Sequence, residues 1–180
     1  MSFQIIQKDW PFLIHPSLTV LLTASYEDRD TITPIAWIMP LSGEPPLVAT
    51  ALKETRFVYE LLVKSGEFGV NVPPLDQAEK VWACGTTSGR NQDKFALTGF
   101  QRMKAERIKA PLIQECIAYL ECQLFADNPF GDHHLIVGQV LAARVKEGYF
   151  DEHYNEKFSP CLHLRKNMFL NADWKSLKKA

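Results

Sequence analysis

No stretch of the chain approaches the about 18 uninterrupted apolar residues that a membrane-spanning helix needs. The opening residues, Met1 to Trp10, lack the basic segment and apolar run of a secretory leader. The expectation is a cytoplasmic protein. Cysteine is scarce, with only Cys84, Cys116, Cys122 and Cys161. No two have C-x-x-C spacing, and none combines with the five histidines into a zinc pattern, so no metal is expected. Reduced, buried thiols are the expectation. Cys116 and Cys122 share parity along an expected strand and should face one way. Their separation, about 20 Å, forbids a disulfide between them. The patterns G-x-G-x-x-G, G-x-x-x-x-G-K-[ST] and G-x-S-x-G are all missing. That removes a Rossmann site, a P-loop and a nucleophile elbow. An excess of one charge is missing too: the formal net charge is -1, which gives no general attraction to nucleic acid or anionic membrane.

What is present is 180 residues, 46% hydrophobic and 23% charged, enough for one domain with a sizeable core. Leu18–Ser25 reads as a strand, Glu27–Asp30 as a polar turn and Thr33–Met39 as the returning strand, with Trp37 mid-strand. Gly43–Pro46 turns the chain into Leu47–Leu52. Thr55 is placed to cap a helix from about Arg56 to Lys64, with Phe57, Val58, Leu61 and Leu62 on one face. Ser65–Gly66 ends that helix. Glu67–Val72 is a strand, and Asp76 can cap a second helix through about Ala83. A polar stretch follows, with a short helical piece near Asp93 to Leu97. Two long strands, Cys116 to Ala126 and His134 to Val145, are joined through Asn128–Asp132. Six or so strands with two short helices between them predict an antiparallel barrel with helical insertions.

Two segments suit an anion. Ser88-Gly89-Arg90-Asn91-Gln92-Asp93-Lys94-Phe95 gathers a hydroxyl, a permissive glycine and two cations. Lys53-Glu54-Thr55-Arg56 joins a strand to a helix start, where backbone N–H groups and the helix dipole favour negative charge. Taken alone, each fits a solvated loop as well. His133 and His134 should point to opposite faces, one of them able to face a pocket. The small residues Ala36, Ala49 and Ala51 allow a flat ring to approach the backbone, or simply pack in the core.

In their order along the chain these segments resemble the flavin reductase-like, flavoredoxin-type family, the FMN-binding split barrel. The resemblance runs over about residues 10–165. It rests on Thr33–Trp37, Pro45-Pro46-Leu47-Val48, Lys53–Leu62, Phe68–Val72, the Ser88–Phe95 block, Thr98-Gly99-Phe100, Pro111–Cys116, Gly131-Asp132-His133 and Val137–Val140. The most specific of these is the Ser88–Phe95 block. Val58 and Gln139 depart from the family's usual threonine and acidic residue.

The resemblance implies a mainly β, Greek-key-like split barrel with short helical insertions. The whole chain, 1–180, would form one flavin reductase-like FMN-binding domain, working as a homodimer. Lys53, Thr55, Arg56, Ser88 and Lys94 would hold the phosphate, with Gly89 and Phe95 in the same block. Backbone at Ala36, Trp37, Thr50 and Ala51 would lie along the isoalloxazine and ribityl chain. His133 would stand on the nicotinamide side. The implied cofactor is FMN, with FAD as an alternative and NAD(P)H as the electron donor. The implied activity is that of an NAD(P)H-dependent flavin oxidoreductase. The alternatives are a flavoredoxin-like carrier served by a redox protein partner and a flavin-dependent reductase of a small organic substrate. No nucleic acid or membrane partner is implied.

Overall fold

The computed structural model describes residues 2–177. β1 (Ser17–Leu18) leads into β2 (Val20–Tyr26), which pairs with β3 (Arg29–Ile35) along all seven residues. Val20, Leu22 and Ala24 of β2 enter one core and Leu21 another. Both faces are covered, which is why this strand reads as a near-continuous apolar run rather than an alternation.

β3 stops at Ile35, Ala36 and Trp37 lie outside regular structure, and β4 (Ile38–Ser42) begins the next strand. The continuous strand Thr33–Met39, with Trp37 in its middle, is therefore corrected to two strands and a link. Sheet topology gives the reason. With β5 (Leu47–Leu52), β6 (Glu67–Val72), β9 (Ala118–Phe130) and β10 (His133–Val145), the main sheet has seven strands in the order β3-β2-β6-β9-β10-β5-β4, antiparallel throughout. Consecutive strands β3 and β4 thus occupy opposite edges. Laid flat, those edges would stand about 29 Å apart. From Ile35 to Ile38 the chain reaches at most about 11 Å. The sheet must curl until its edges nearly meet, which makes a barrel split beside Ala36–Trp37.

α1 (Phe57–Ser65) buries Phe57, Val58, Leu61 and Leu62 against the inner core with Phe68, Val70 and Ile136. Gly66 ends the helix at φ 72, and its N–H donates to the Leu62 carbonyl. The capping residue is Arg56, in extended conformation with no side-chain cap, so Thr55 does not cap. Asp76 does not cap either: it sits in a 3-10 turn, Leu75–Gln77, ahead of α2 (Ala78–Thr86). α2 and α3 (Lys94–Thr98) cover the outer face of β2 and β3, where Leu21 and Ile32 meet Val81, Cys84, Phe95 and Phe100.

β7 (Arg102–Met103) and β8 (Leu112–Ile113) pair beneath the same layer. Cys116 precedes β9, so strand parity does not govern it: it lies in the outer core, while Cys122 lies in the inner one. Late in the chain, β11 (Phe150–Asp151) pairs with β12 (His153–Tyr154). β13 (Leu162–Arg165) and β14 (Met168–Leu170) form a separate sheet with β1. Among the described residues no helix is long and apolar enough to cross a membrane.

Buried polar groups hold the loops. Asn71 donates to the Leu21 carbonyl at 2.9 Å and accepts from the Ile113 N–H at 2.8 Å. Glu121, 1% exposed, accepts from Glu106 N–H, Arg107 N–H and Arg144. Each would be costly unpaired.

All four thiols are free and buried. Desolvation pushes Cys84 and Cys161 up to about 11 and Cys122 to about 12, and raises Cys116 further in the same direction. Above the ordinary thiol value of 9 the unfolded chain releases protons that the native chain keeps. The thiol contribution is therefore full below pH 9 and is lost as pH climbs through 9 to 12. Buried Lys94, whose value is lowered to about 8, works the other way between about 8 and its ordinary 10.5, but it is one group against four. Urea unfolding under reducing conditions should show stability falling between pH 9 and 11. A flat profile would mean the thiols are hydrated.

Candidate functional site

A cleft of about 540 Å³ runs along the β3–β4 link. Its volume is in the range of small-molecule and cofactor sites. One wall comes from Thr33–Trp37, from Ala51 and Leu52 at the end of β5, and from His133 at the start of β10. α2 adds Val81, Trp82, Gly85 and Thr86. An N-terminal 3-10 turn (Trp10–Ile14) adds Phe12, His15 follows it, and the separate small sheet adds His163 and Phe169.

The link is fixed by its backbone. The Trp37 carbonyl accepts from the Ala51 N–H at 3.0 Å and from the Thr50 hydroxyl at 2.9 Å. The Trp37 ring, 41% exposed, stands 4.9 Å from the His133 ring at 37°. His133 Nδ1 is 2.7 Å from Asp132, whose other oxygen accepts from Lys53 Nζ at 2.6 Å. Lys53 first, and then His133, holds the Asp132 carboxyl down at about 2. An acceptor-only carboxylate requires the proton on His133 Nδ1, which leaves Nε2 free for the cleft. His134 faces away, bonded through Nδ1 to Asp127 at 2.6 Å and beside the Tyr59 hydroxyl. The opposite-face expectation for this pair is met.

Lys53 and Arg56 both line the cleft where the chain enters α1. A helix start favours anions there. Lys53 already shares its charge with Asp132, whereas Arg56 has no ion pair among the described residues. Val58, one of the two family departures, is wholly buried in the inner core and does not face the cleft.

Of the residues expected at a flavin, Ala36, Trp37, Ala51, Lys53, Arg56 and His133 are brought together. Thr50 supports them from within the strand. Thr55 is exposed beside Lys53 and Arg56 but is not part of the cleft wall.

The structure does not bring Ser88, Gly89, Lys94 or Phe95 to the cleft wall. Lys94 is 5% exposed, and its ammonium donates to the Ile32 carbonyl at 2.7 Å and the Cys84 carbonyl at 2.6 Å. It ties β3 to the last turn of α2, and burial lowers it to about 8. Asp93 caps α3 through the Phe95 and Ala96 N–H groups and also binds Arg102. Phe95 is core, with the Arg102 guanidinium 4.1 Å above its ring. Gly89 packs so closely that a Cβ would lie 2.1 Å from Thr31 Oγ1. The Ser88 hydroxyl accepts from the Arg90 N–H at 3.3 Å. The block expected to grip a phosphate is, in this structure, a staple between layers.

His15, His163, Trp82 and Lys166 are cleft residues that the sequence did not reveal. His15 and His163 meet through the pairing of two-residue β1 with β13, 148 positions apart. A strand that short carries no periodic signal.

The fold is a split barrel, and its cleft opens beside Lys53 and Arg56. Residues 13–168 match the flavin reductase like domain family, and the chain belongs to it. The chain is similar to the Thermus thermophilus FMN-binding protein, solved with 1-cyclohex-2-enone: TM-score 0.88 and 26% identity, over 99% of this chain and 100% of that one. The same neighbour was solved with p-hydroxybenzaldehyde, with a TM-score of 0.87. An uncharacterised protein of Archaeoglobus fulgidus is 31% identical, over 88% of this chain and 90% of its own. The reductase component of an FADH(2)-dependent resorcinol hydroxylase from Rhizobium sp. is 29% identical, over 73% of each.

Two substitutions test the staple. Lys94→Ala should cost about 2–4 kcal/mol in urea unfolding, since it leaves a cavity and strands buried carbonyls. Gly89→Ala should cost about 1–3 kcal/mol by overpacking against Thr31. Unchanged stability in both would return the block to a loop with no structural duty.

Proposed function

We propose that the chain binds FMN in this cleft and is an NAD(P)H-dependent flavin oxidoreductase that passes electrons through it. The observation that carries the reading is the meeting of Lys53 and Arg56, at a helix start, with the small side chains of Ala36 on the link and Ala51 on β5. The donors fit the group: charge-assisted bonds offset the desolvation of a phosphate dianion, and small side chains let a flat ring approach. Arg56 and Lys53 hold the phosphate end, and the Ala36–Trp37 and Thr50–Ala51 backbone lies along the ring system. FMN supplies the hydride and electron chemistry when bound.

His133, oriented by Asp132 and seated against Trp37, faces the donor or acceptor with Nε2. The Thermus neighbour's small ring ligands support a cleft that also admits a planar second molecule. Exposed Met39 and Leu41 on edge strand β4, with Phe125 and Phe130 on β9, support a homodimer burying this face.

FMN titration tests the cofactor. Arg56→Ala should weaken FMN affinity by about 1–3 kcal/mol, and more than Lys53→Ala, because Lys53 is already shared with Asp132. Absence of FMN binding by the native chain would sink the reading. Anaerobic stopped-flow mixing of loaded protein with NADH and NADPH should bleach the flavin. Bleaching by neither would instead favour a flavoredoxin-like carrier reduced by a protein partner.

A further inference from the structure

The wall of the cleft opposite the start of α1 carries a cation of its own. Lys166 lines the cleft with Lys53 and Arg56, and among the described residues no aspartate or glutamate does. Lys53 is engaged by Asp132. Lys166 is exposed and has no ion pair among the described residues. Its neighbour Arg165 is tied off elsewhere, donating to Asp9 at 3.0 Å with its guanidinium 5.0 Å above the Phe12 ring.

The backbone holds Lys166 in place at a cost. Arg165 pairs with Met168, so Lys166 and Asn167 form a two-residue hairpin loop between β13 and β14. Lys166 has φ 50, a left-handed conformation that glycine adopts most cheaply. The His163 ring pins that turn, its Nε2 donating to the Lys166 carbonyl at 3.0 Å. A residue kept in a disfavoured conformation at the mouth of a cleft points to use of its side chain.

We propose that Lys166 selects the electron donor: its ammonium binds the 2′-phosphate of NADPH, so that the chain takes NADPH in preference to NADH. The proposal rests on the flavin reading of the cleft, since a nicotinamide donor has a use only beside a flavin. The two donors differ at this group alone, a hydroxyl in one and a phosphate in the other. A ribose hydroxyl is recognised by a carboxylate, which repels the phosphate, whereas a cation favours the phosphate. The cleft wall supplies a free ammonium and no carboxylate. At an exposed position one such charge-assisted bond corresponds to about tenfold in affinity.

The test titrates FMN-loaded protein and apoprotein with NADP+ and with NAD+ by ligand-observed NMR. NADP+ should bind about tenfold tighter than NAD+, and the difference should shrink as salt is raised. Lys166→Gln should bring NADP+ down to the affinity of NAD+ while leaving NAD+ and FMN within about twofold. Lys166→Glu should reverse the preference. Lys166→Gly, which relieves the left-handed backbone, should match Lys166→Gln and guards against a misfolded variant. Equal affinity in the native protein, a preference for NAD+, a preference that survives in Lys166→Gln, or a loss shared by both nucleotides overturns the proposal. Binding of neither nucleotide by a chain that holds FMN overturns it too and leaves the cofactor standing. A preference for NADP+ that depends on Lys166 in a chain that takes up no FMN would keep the phosphate contact and remove only the flavin reading.

Discussion

Everything in this structure follows from the shortness of the link between β3 and β4. Two residues, Ala36 and Trp37, join strands that stand at opposite edges of a seven-stranded sheet. The chain cannot span an open sheet, so the sheet closes on itself as far as the link demands and no further. The remaining gap is where backbone stays free of ladder pairing and where small residues line an opening. A cofactor cleft needs both.

The rest of the architecture keeps that gap in shape. The Trp37 carbonyl is pinned by Thr50 and Ala51. Lys94 draws α2 down onto β3, and α2 then supplies Trp82 and Thr86 to the cleft. Across the opening, Lys53, Asp132 and His133 form a chain of charge and hydrogen bond that crosses from β5 to β10. These contacts are modest singly and partly exposed, and salt screens such pairs. Their value lies in fixing direction: they settle which nitrogen of His133 faces the cleft.

Much of the fold was legible in the sequence. Leu47–Leu52 and Glu67–Val72 are strands with the predicted bounds, and the helix face of Phe57, Val58, Leu61 and Leu62 is the buried one. These elements have clear apolar patterns and sharp stops. The break at Ala36–Trp37 was not legible, because it is imposed by sheet order rather than by local propensity. Half of the cleft was legible through Lys53, Arg56 and His133. The other half, at His15 and His163, depends on a contact between distant two-residue strands. The placement of the Ser88–Phe95 block was not legible for a physical reason: Lys, Ser and Gly serve an anion and a buried staple equally well, and only burial tells the two apart.

That staple bears on how chains of this kind are sorted. Lys94, Asp93 and Phe95 are required by the layering of helices on the barrel, whatever the cleft contains. A descendant could lose the cations at Lys53 and Arg56 and still need this block in order to fold. Its presence in a new sequence therefore testifies to ancestry and scaffold, and a claim of redox activity has to be read from the residues around the gap.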